Sequence, residues 1–219
     1  VDPKRGIFIL ALFAVMIGGA LVLYAWRTQR IGMGGSFDPI HFGHLIGARS
    51  AAEQLGLSRV VLIPSAVPPH KQTNALTPAE DRLAMARLAV ADDPLFEVSD
   101  IELRRAGPSY TYDTVTQFRE QLGPTVKLCW IIGADSLPRL PSWYRIAELV
   151  KLVRIVTLTR PGCAHAEARD VLNASFGAVT TDALLQDCLD TPAIQISATQ
   201  IRTRVGDRKS IRYLVPESV

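Results

Sequence analysis

The run from Gly34 to His44, Gly-Gly-Ser-Phe-Asp-Pro-Ile-His-Phe-Gly-His, concentrates more chemistry than any other stretch of the chain. Gly34 and Gly35 let a backbone come close to a phosphate, and Asp38-Pro39, after Ser36 and Phe37, is turn-forming. His41 and His44 follow three positions apart, where a helix is expected to begin, so both imidazoles share one side of its first turn. The amides of that turn are expected to be unpaired, and the helix dipole favours negative charge there. Imidazoles beside open amides suit an anionic, phosphate-bearing ligand. The bland alternative, a Gly/Pro turn followed by two surface histidines, explains each residue singly but not the run as a whole.

Further polar groups fall at the expected carboxyl ends of other strands, where open α/β sheets bind ligands. Pro68-Pro-His-Lys71 stiffens a loop from which Lys71 could reach anionic oxygens. Asp135 follows Gly133 at a strand end and suits sugar hydroxyls. Trp143 is either core packing or a stacking platform. The amides of Ser109-Tyr110-Thr111, ahead of a helix, could receive a carboxylate or a carboxamide. Ser197 and Thr199 open a helix with Arg202 on the same side, a second phosphate site in which the guanidinium could span two oxygens. Arg160, before Pro161-Gly162, could also reach a phosphate.

Alternating strand and helix signals position these tips and predict an α/β fold, a doubly wound Rossmann-like parallel sheet. Strands are expected at 29–33, 60–63, 96–98, 101–103, 128–132, 154–158 and 193–196. Helices are expected at 41–55, stopped by Gly56, from the Thr77 cap to about 91, at 111–122, at 145–150, and from Ser197 to about 205. Thr77-Pro-Ala-Glu80 reads as a capped start with Glu80 reaching back. Residues 163–190 are weakly patterned and read as a helix with loops.

The chain has 219 residues, 48% of them hydrophobic and 21% charged, enough for one globular α/β domain. A net charge of +3 excludes a broad nucleic-acid-binding face, and no nucleic-acid partner is expected. Cys129, Cys163 and Cys188 lack metal-ligand spacing and read as reduced thiols; no metal-ligating set is expected. Ile7 to Trp26 is a run of twenty uncharged residues, long enough to cross a bilayer. One domain behind a hydrophobic segment is therefore expected: residues 1–29, a transmembrane helix or a misassigned start, and residues 30–219, a cytoplasmic catalytic domain. Single-pass anchoring and oligomeric state stay open at this stage.

Taken together, the motifs resemble bacterial nicotinate-nucleotide adenylyltransferase, of the nucleotidyltransferase superfamily with a His-x-Gly-His tip. That family carries Gly-Gly-Ser/Thr-Phe-Asp-Pro-x-His-x-Gly-His, Pro-Pro-His-Lys, Ser-Tyr-Thr, Gly-x-Asp with a following Trp, Ile-Ser-x-Thr-x-Ile-Arg and Ser-Ile-Arg-Tyr-Leu-Val-Pro. All are present here, at 34–44, 68–71, 109–111, 133–143, 196–202 and 210–216. The resemblance implies adenylyl transfer from ATP, carried with Mg²⁺, to nicotinate mononucleotide, releasing pyrophosphate in NAD biosynthesis. It implies catalytic roles for His41, His44, Lys71 and Arg202, and ATP contacts from Gly34, Gly35, Ser36, Phe37, His41, His44, Ser197, Thr199 and Arg202. It assigns the mononucleotide to Asp38, Tyr110, Thr111, Gly133, Asp135, Trp143 and Arg160. Three departures stand out: a lead-in to the glycines one residue short, the hydrophobic front, and an end at Val219 where a terminal helix is expected. Rival readings are an adenylyltransferase for nicotinamide mononucleotide or pantetheine phosphate, and a membrane-tethered nucleotide-binding module without catalysis.

Overall fold

The computed structural model describes residues 29–69, 76–123, 126–159 and 166–219. Ile7–Trp26, Lys71 and Arg160 lie outside them, and no helix among the described residues is long and apolar enough to cross a membrane. Six parallel strands form one sheet: β1 (Gln29–Gly35), β2 (Arg59–Pro64), β3 (Phe96–Val98), β4 (Lys127–Gly133), β5 (Arg154–Thr159) and β6 (Cys188–Asp190). Their order is β3-β2-β1-β4-β5-β6, so the chain reverses direction across the sheet between β1 and β4. That switch point opens a crevice at the carboxyl ends of the two strands.

The helices are α1 (Phe42–Leu55), α2 (Ala79–Ala89), α3 (Thr111–Leu122), α4 (Ile146–Leu152), α5 (Ala166–Gln186) and α6 (Ala198–Gly206), with a 3₁₀ segment at Ala134–Ser142. Both sheet faces are covered, which explains the nearly continuous apolar runs of β2 and β4. Ala48, Ala51, Ala52 of α1 and Ala86 of α2 pack on Ile31, Leu62 and Ile131 of one face. Small side chains bring α1 close: a Cβ on Gly47 would stand 3.0 Å from Leu158 Cδ1. On the other face, Val115, Phe118, Leu149 and Leu172 cover Ile63, Trp130 and Ile155. Gly56 ends α1 with φ 61°, in the left-handed region that favours glycine.

The central strand explains its own glycines. β1 spans seven residues and is paired on both sides, with Gly34 opposite Ile63 and Gly32 opposite Trp130. A Cβ on Gly32 or Gly34 would meet the Trp130 indole at 2.8 Å. Gly34 is therefore demanded by a neighbouring side chain as well as by any ligand. Replacing it with Ala overpacks this contact, so Gly34→Ala is expected to lose about 1–3 kcal/mol in urea denaturation. Adding Trp130→Leu in the same chain should return part of that loss.

Three expected elements differ. Thr77 does not cap α2; Pro78 occupies the N-cap without a side-chain bond. Thr77 is engaged through its backbone instead, its N–H donating to Asp38 Oδ2 and its carbonyl accepting from Arg82 Nε. Residues 101–103 form turns rather than a strand, closed by Leu103 N–H and Arg104 N–H onto the Asp100 carbonyl. Residues 193–196 have no ladder partner, because β6 holds the sheet edge against β5. The weakly patterned region is mostly α5, whose periodicity breaks at Gly177 (φ 76°).

Candidate active site

The glycine-rich tip leaves β1 beneath the start of α1. Phe37 adopts φ 44°, a conformation that costs a bulky residue about 1–2 kcal/mol and persists only when its surroundings enforce it. Here the ring is buried and meets the edge of His44, with centroids 5.1 Å apart at 87°. The Asp38-Pro39 bond is cis. His41 is the N-cap of α1, and its ring stacks on that of His44 at 3.7 Å and 24°. The backbone N–H of His41 donates to His44 Nδ1 at 3.3 Å. Since Nδ1 accepts, the His44 ring proton belongs on Nε2, at the far side of the ring. Gly43 permits this stack, because a Cβ there would lie 3.0 Å from His41 Nδ1.

Sequence reasoning left the first-turn amides of α1 unpaired, and two of them are not. His44 N–H donates to the His41 carbonyl at 2.9 Å. Phe42 N–H donates to the Leu214 carbonyl at 3.1 Å, so the carboxyl-terminal segment folds back onto the tip. His41 is 6% exposed, and its Nδ1 has no hydrogen-bond partner among the described residues. Burial lowers its pKa from 6.5 to about 4, against a smaller opposing effect of its backbone hydrogen bond. The ring is thus a neutral hydrogen-bonding group at physiological pH rather than a cation.

That depressed pKa makes stability pH-dependent. Between about 4 and 6.5 the unfolded chain binds a proton at His41 that the folded chain refuses. Stability therefore rises with pH through this window, with a His41 contribution of at most about 1.4 kcal/mol per pH unit. Denaturant titrations at pH 4.5 and 7 should show a smaller difference in His41→Gln than in wild type.

Asp38 is 1% exposed and serves as a hub. Its carbonyl accepts from Arg202 Nη1 at 2.7 Å, and its Oδ2 lies 3.9 Å from the same atom. Arg202 Nη2 also reaches Thr199 Oγ1 at 3.4 Å. The start of α6, where Ser197 Oγ accepts from Gln200 N–H, is thereby tied to the tip of β1. Arg82, also 1% exposed, joins the other loops. Its Nη1 donates to the Ser36 carbonyl at 2.6 Å, its Nη2 to Ala66 at 3.4 Å and its Nε to Thr77 at 2.9 Å. Burial lowers its pKa, and the charge of Asp38 acts in the opposite direction.

Beside this tip lies a cavity of about 320 Å³, lined among others by Gly34, Gly35, Ser36, Tyr110, Thr111 and Gly133. Trp143 and Tyr144 form part of its wall. Tyr144 stacks on Tyr110 with centroids 4.4 Å apart, giving a flat aromatic surface. Helix α3 starts at this wall, and its N-cap Tyr110 makes no side-chain capping bond. First-turn amides at such a start favour a carboxylate. A larger groove of about 590 Å³ lies at the opposite end of the sheet, where Lys127 opens β4 and Arg154 opens β5. None of the motifs reaches it.

The expected residues thus fall into two joined groups: Gly34 to His44 with Thr199 and Arg202, and the cavity with Tyr110, Thr111, Gly133 and Trp143. Asp135 stands apart, its carboxylate 81% exposed and paired with Arg139 at 3.2 Å. Ser197 is exposed at the α6 start. The sequence reading missed Arg82, Glu102 and Tyr144. Arg82 carried a signal, since it lies four residues before the buried Ala86 and one before the buried Leu83, on the apolar face of α2.

A parallel sheet with its switch point at β1, a paired-histidine helix start there and an adjoining aromatic cavity define a nucleotidyltransferase. Residues 33–204 match the cytidylyltransferase-like family. A relative from Geobacillus thermodenitrificans is 44% identical over 186 residues, covering 85% of this chain and 79% of its own. One from Opitutus terrae is 45% identical over 184 residues, covering 84% and 89%. Both are named nicotinate-nucleotide adenylyltransferase. The nicotinic acid mononucleotide adenylyltransferase of Plasmodium falciparum, solved with NaAD, shares the fold with a TM-score of 0.64. It is 17% identical, over 84% of this chain and 87% of that one. The chain belongs to the cytidylyltransferase-like family and, within it, to the nicotinate-nucleotide adenylyltransferases.

Proposed function

We propose that this protein transfers the adenylyl group of ATP to nicotinate mononucleotide, giving nicotinate adenine dinucleotide and pyrophosphate in NAD biosynthesis. An oxygen of the mononucleotide phosphate forms a bond to the α-phosphorus of ATP. The bond from that phosphorus to the bridging oxygen of pyrophosphate breaks, and pyrophosphate leaves with the electron pair. Such a transfer asks the protein for alignment and charge stabilisation rather than for a nucleophile. The observation that carries the reading is a single β1 tip that leads into the His41–His44 stack, accepts Arg202 at the Asp38 carbonyl and lines the aromatic cavity with Gly34, Gly35 and Ser36.

In this reading His41 and His44 donate hydrogen bonds where charge grows on the α-phosphate. Arg202 and Lys71 hold the departing phosphates, and Mg²⁺ enters with ATP. Gly34, Gly35 and Ser36 bring backbone to the nucleotide, while Phe37 acts from below by packing His44. Ser197 and Thr199 seat ATP at the start of α6. Tyr110, Thr111, Gly133 and Trp143 receive the pyridine ring, with its carboxylate at the start of α3. Asp135 holds ribose, exchanging its contact with Arg139, and Arg160 contacts the acceptor phosphate. Asp38 contributes by holding the loop rather than by touching the acceptor.

The test is an acceptor panel of nicotinate mononucleotide, nicotinamide mononucleotide and pantetheine phosphate, each with MgATP. The expected result is the highest kcat/KM with nicotinate mononucleotide. A preference for pantetheine phosphate would overturn the reading.

A further inference from the structure

Among the described residues lining the cavity, Glu102 is the only one with a carboxyl group. It is 4% exposed and sits in the turn before α3. Its Oε1 accepts from Thr114 Oγ1 at 2.7 Å. Thr114 Oγ1 in turn accepts from Arg105 Nη2 at 3.0 Å, so its single proton is committed to Glu102 or, less closely, to the Tyr110 carbonyl at 3.2 Å. Glu102 Oε2 is buried without a hydrogen-bond partner. An ionised carboxylate with one oxygen left bare in a desolvated cavity is costly, whereas a neutral acid can present a proton there. A second charge would also face the carboxylate of the acceptor across a cavity of low dielectric.

We propose that Glu102 is a positioning residue that determines acceptor specificity: as a neutral acid it holds the start of α3 through Thr114 and keeps negative charge away from the ring carboxylate. An ionised Glu102 would instead repel the acid and accept a hydrogen bond from the carboxamide of the amide analogue. The inference rests on the acceptor reading above. Burial raises the Glu102 pKa, outweighing the hydrogen bond from Thr114, the nearby Ser109 hydroxyl, which makes no hydrogen bond to Oε2, and the charge of Arg105. Among the described residues, Tyr110 and Tyr144 are the other titratable groups lining the cavity, and Arg105 stands behind Thr114. The neutral form is therefore favoured at lower pH and gives way as pH rises.

The experiment measures kcat/KM for nicotinate and nicotinamide mononucleotides across pH 6–9 in wild type, Glu102→Gln and Glu102→Ala. The two acceptors share one phosphate, so its ionisation cancels in their ratio. Wild type is expected to lose acid preference as pH rises. Glu102→Gln, which keeps an acceptor for Thr114 and an N–H in place of the acid proton, should hold a high and pH-independent ratio. Glu102→Ala should raise KM for the acid about tenfold with kcat little changed. A flat wild-type ratio, or a Glu102→Gln ratio as pH-dependent as wild type, would overturn the inference while leaving the function intact. Failure of wild type to adenylylate either mononucleotide would overturn both.

Discussion

His44→Ala is expected to lower kcat by about 10²–10³ while ATP binds nearly as in wild type. In the proposed reading, the substitution removes one ring N–H donor from the place where the α-phosphate develops charge. It also strips the acceptor from the His41 N–H, which binds His44 Nδ1 at 3.3 Å. The effect belongs on kcat because the donor matters most where negative charge is greatest, in the transition state. In the same reading ATP keeps its other contacts at the β1 tip and at the α6 start. His44→Gln retains an amide that can accept from His41 and donate outward, so it should recover part of the loss. Titration calorimetry with ATP beside steady-state kinetics separates the two effects; an equal loss in ATP affinity would assign His44 to ground-state binding instead.

Arg82→Met is expected to cost about 3–5 kcal/mol in denaturant stability, a large fraction of the 5–15 kcal/mol typical of a domain. The guanidinium is fully buried and satisfies three carbonyls, at Ser36, Ala66 and Thr77. Methionine fills similar volume but removes the Arg82 donor from each of those oxygens. It also leaves the Asp38 carboxylate buried with Arg202, at 3.9 Å, as its only charge partner among the described residues. Arg82→Lys should recover little, because one ammonium cannot span three divergent carbonyls. Since these loops carry Ser36 and Asp38, surviving activity should show raised KM for both substrates. A stability loss below about 1 kcal/mol would remove Arg82 from its place as the tie between the loops.

How far the site was legible follows from how local each feature is. His41 and His44 were readable because three-residue spacing and a turn signal decide their geometry within one helical turn. The α3 start at Thr111 and the Ser197 cap were readable for the same reason. Arg82 acts through three loops brought together only by the sheet, so its partners could not be read, although its place on the apolar stripe of α2 could. Gly34 was assigned to ligand approach alone because the Trp130 contact comes from a strand nearly a hundred residues away. Residues 193–196 have strand-forming composition but pair with no strand, since Cys188–Asp190 takes the place beside β5. The true edge strand, Cys188–Asp190, has only three residues and leaves almost no periodic signal. Glu102 was hidden in a stretch read as strand, whereas the turn there aims it at the cavity wall and α3.

The most direct test of the account is to incubate the protein with Mg²⁺, nicotinate mononucleotide and ATP labelled at the α-phosphate. The account predicts label in nicotinate adenine dinucleotide, formed in equal amount with unlabelled pyrophosphate and with no label retained on the protein. ATP binding without labelled dinucleotide, or label held covalently by the protein, would contradict it.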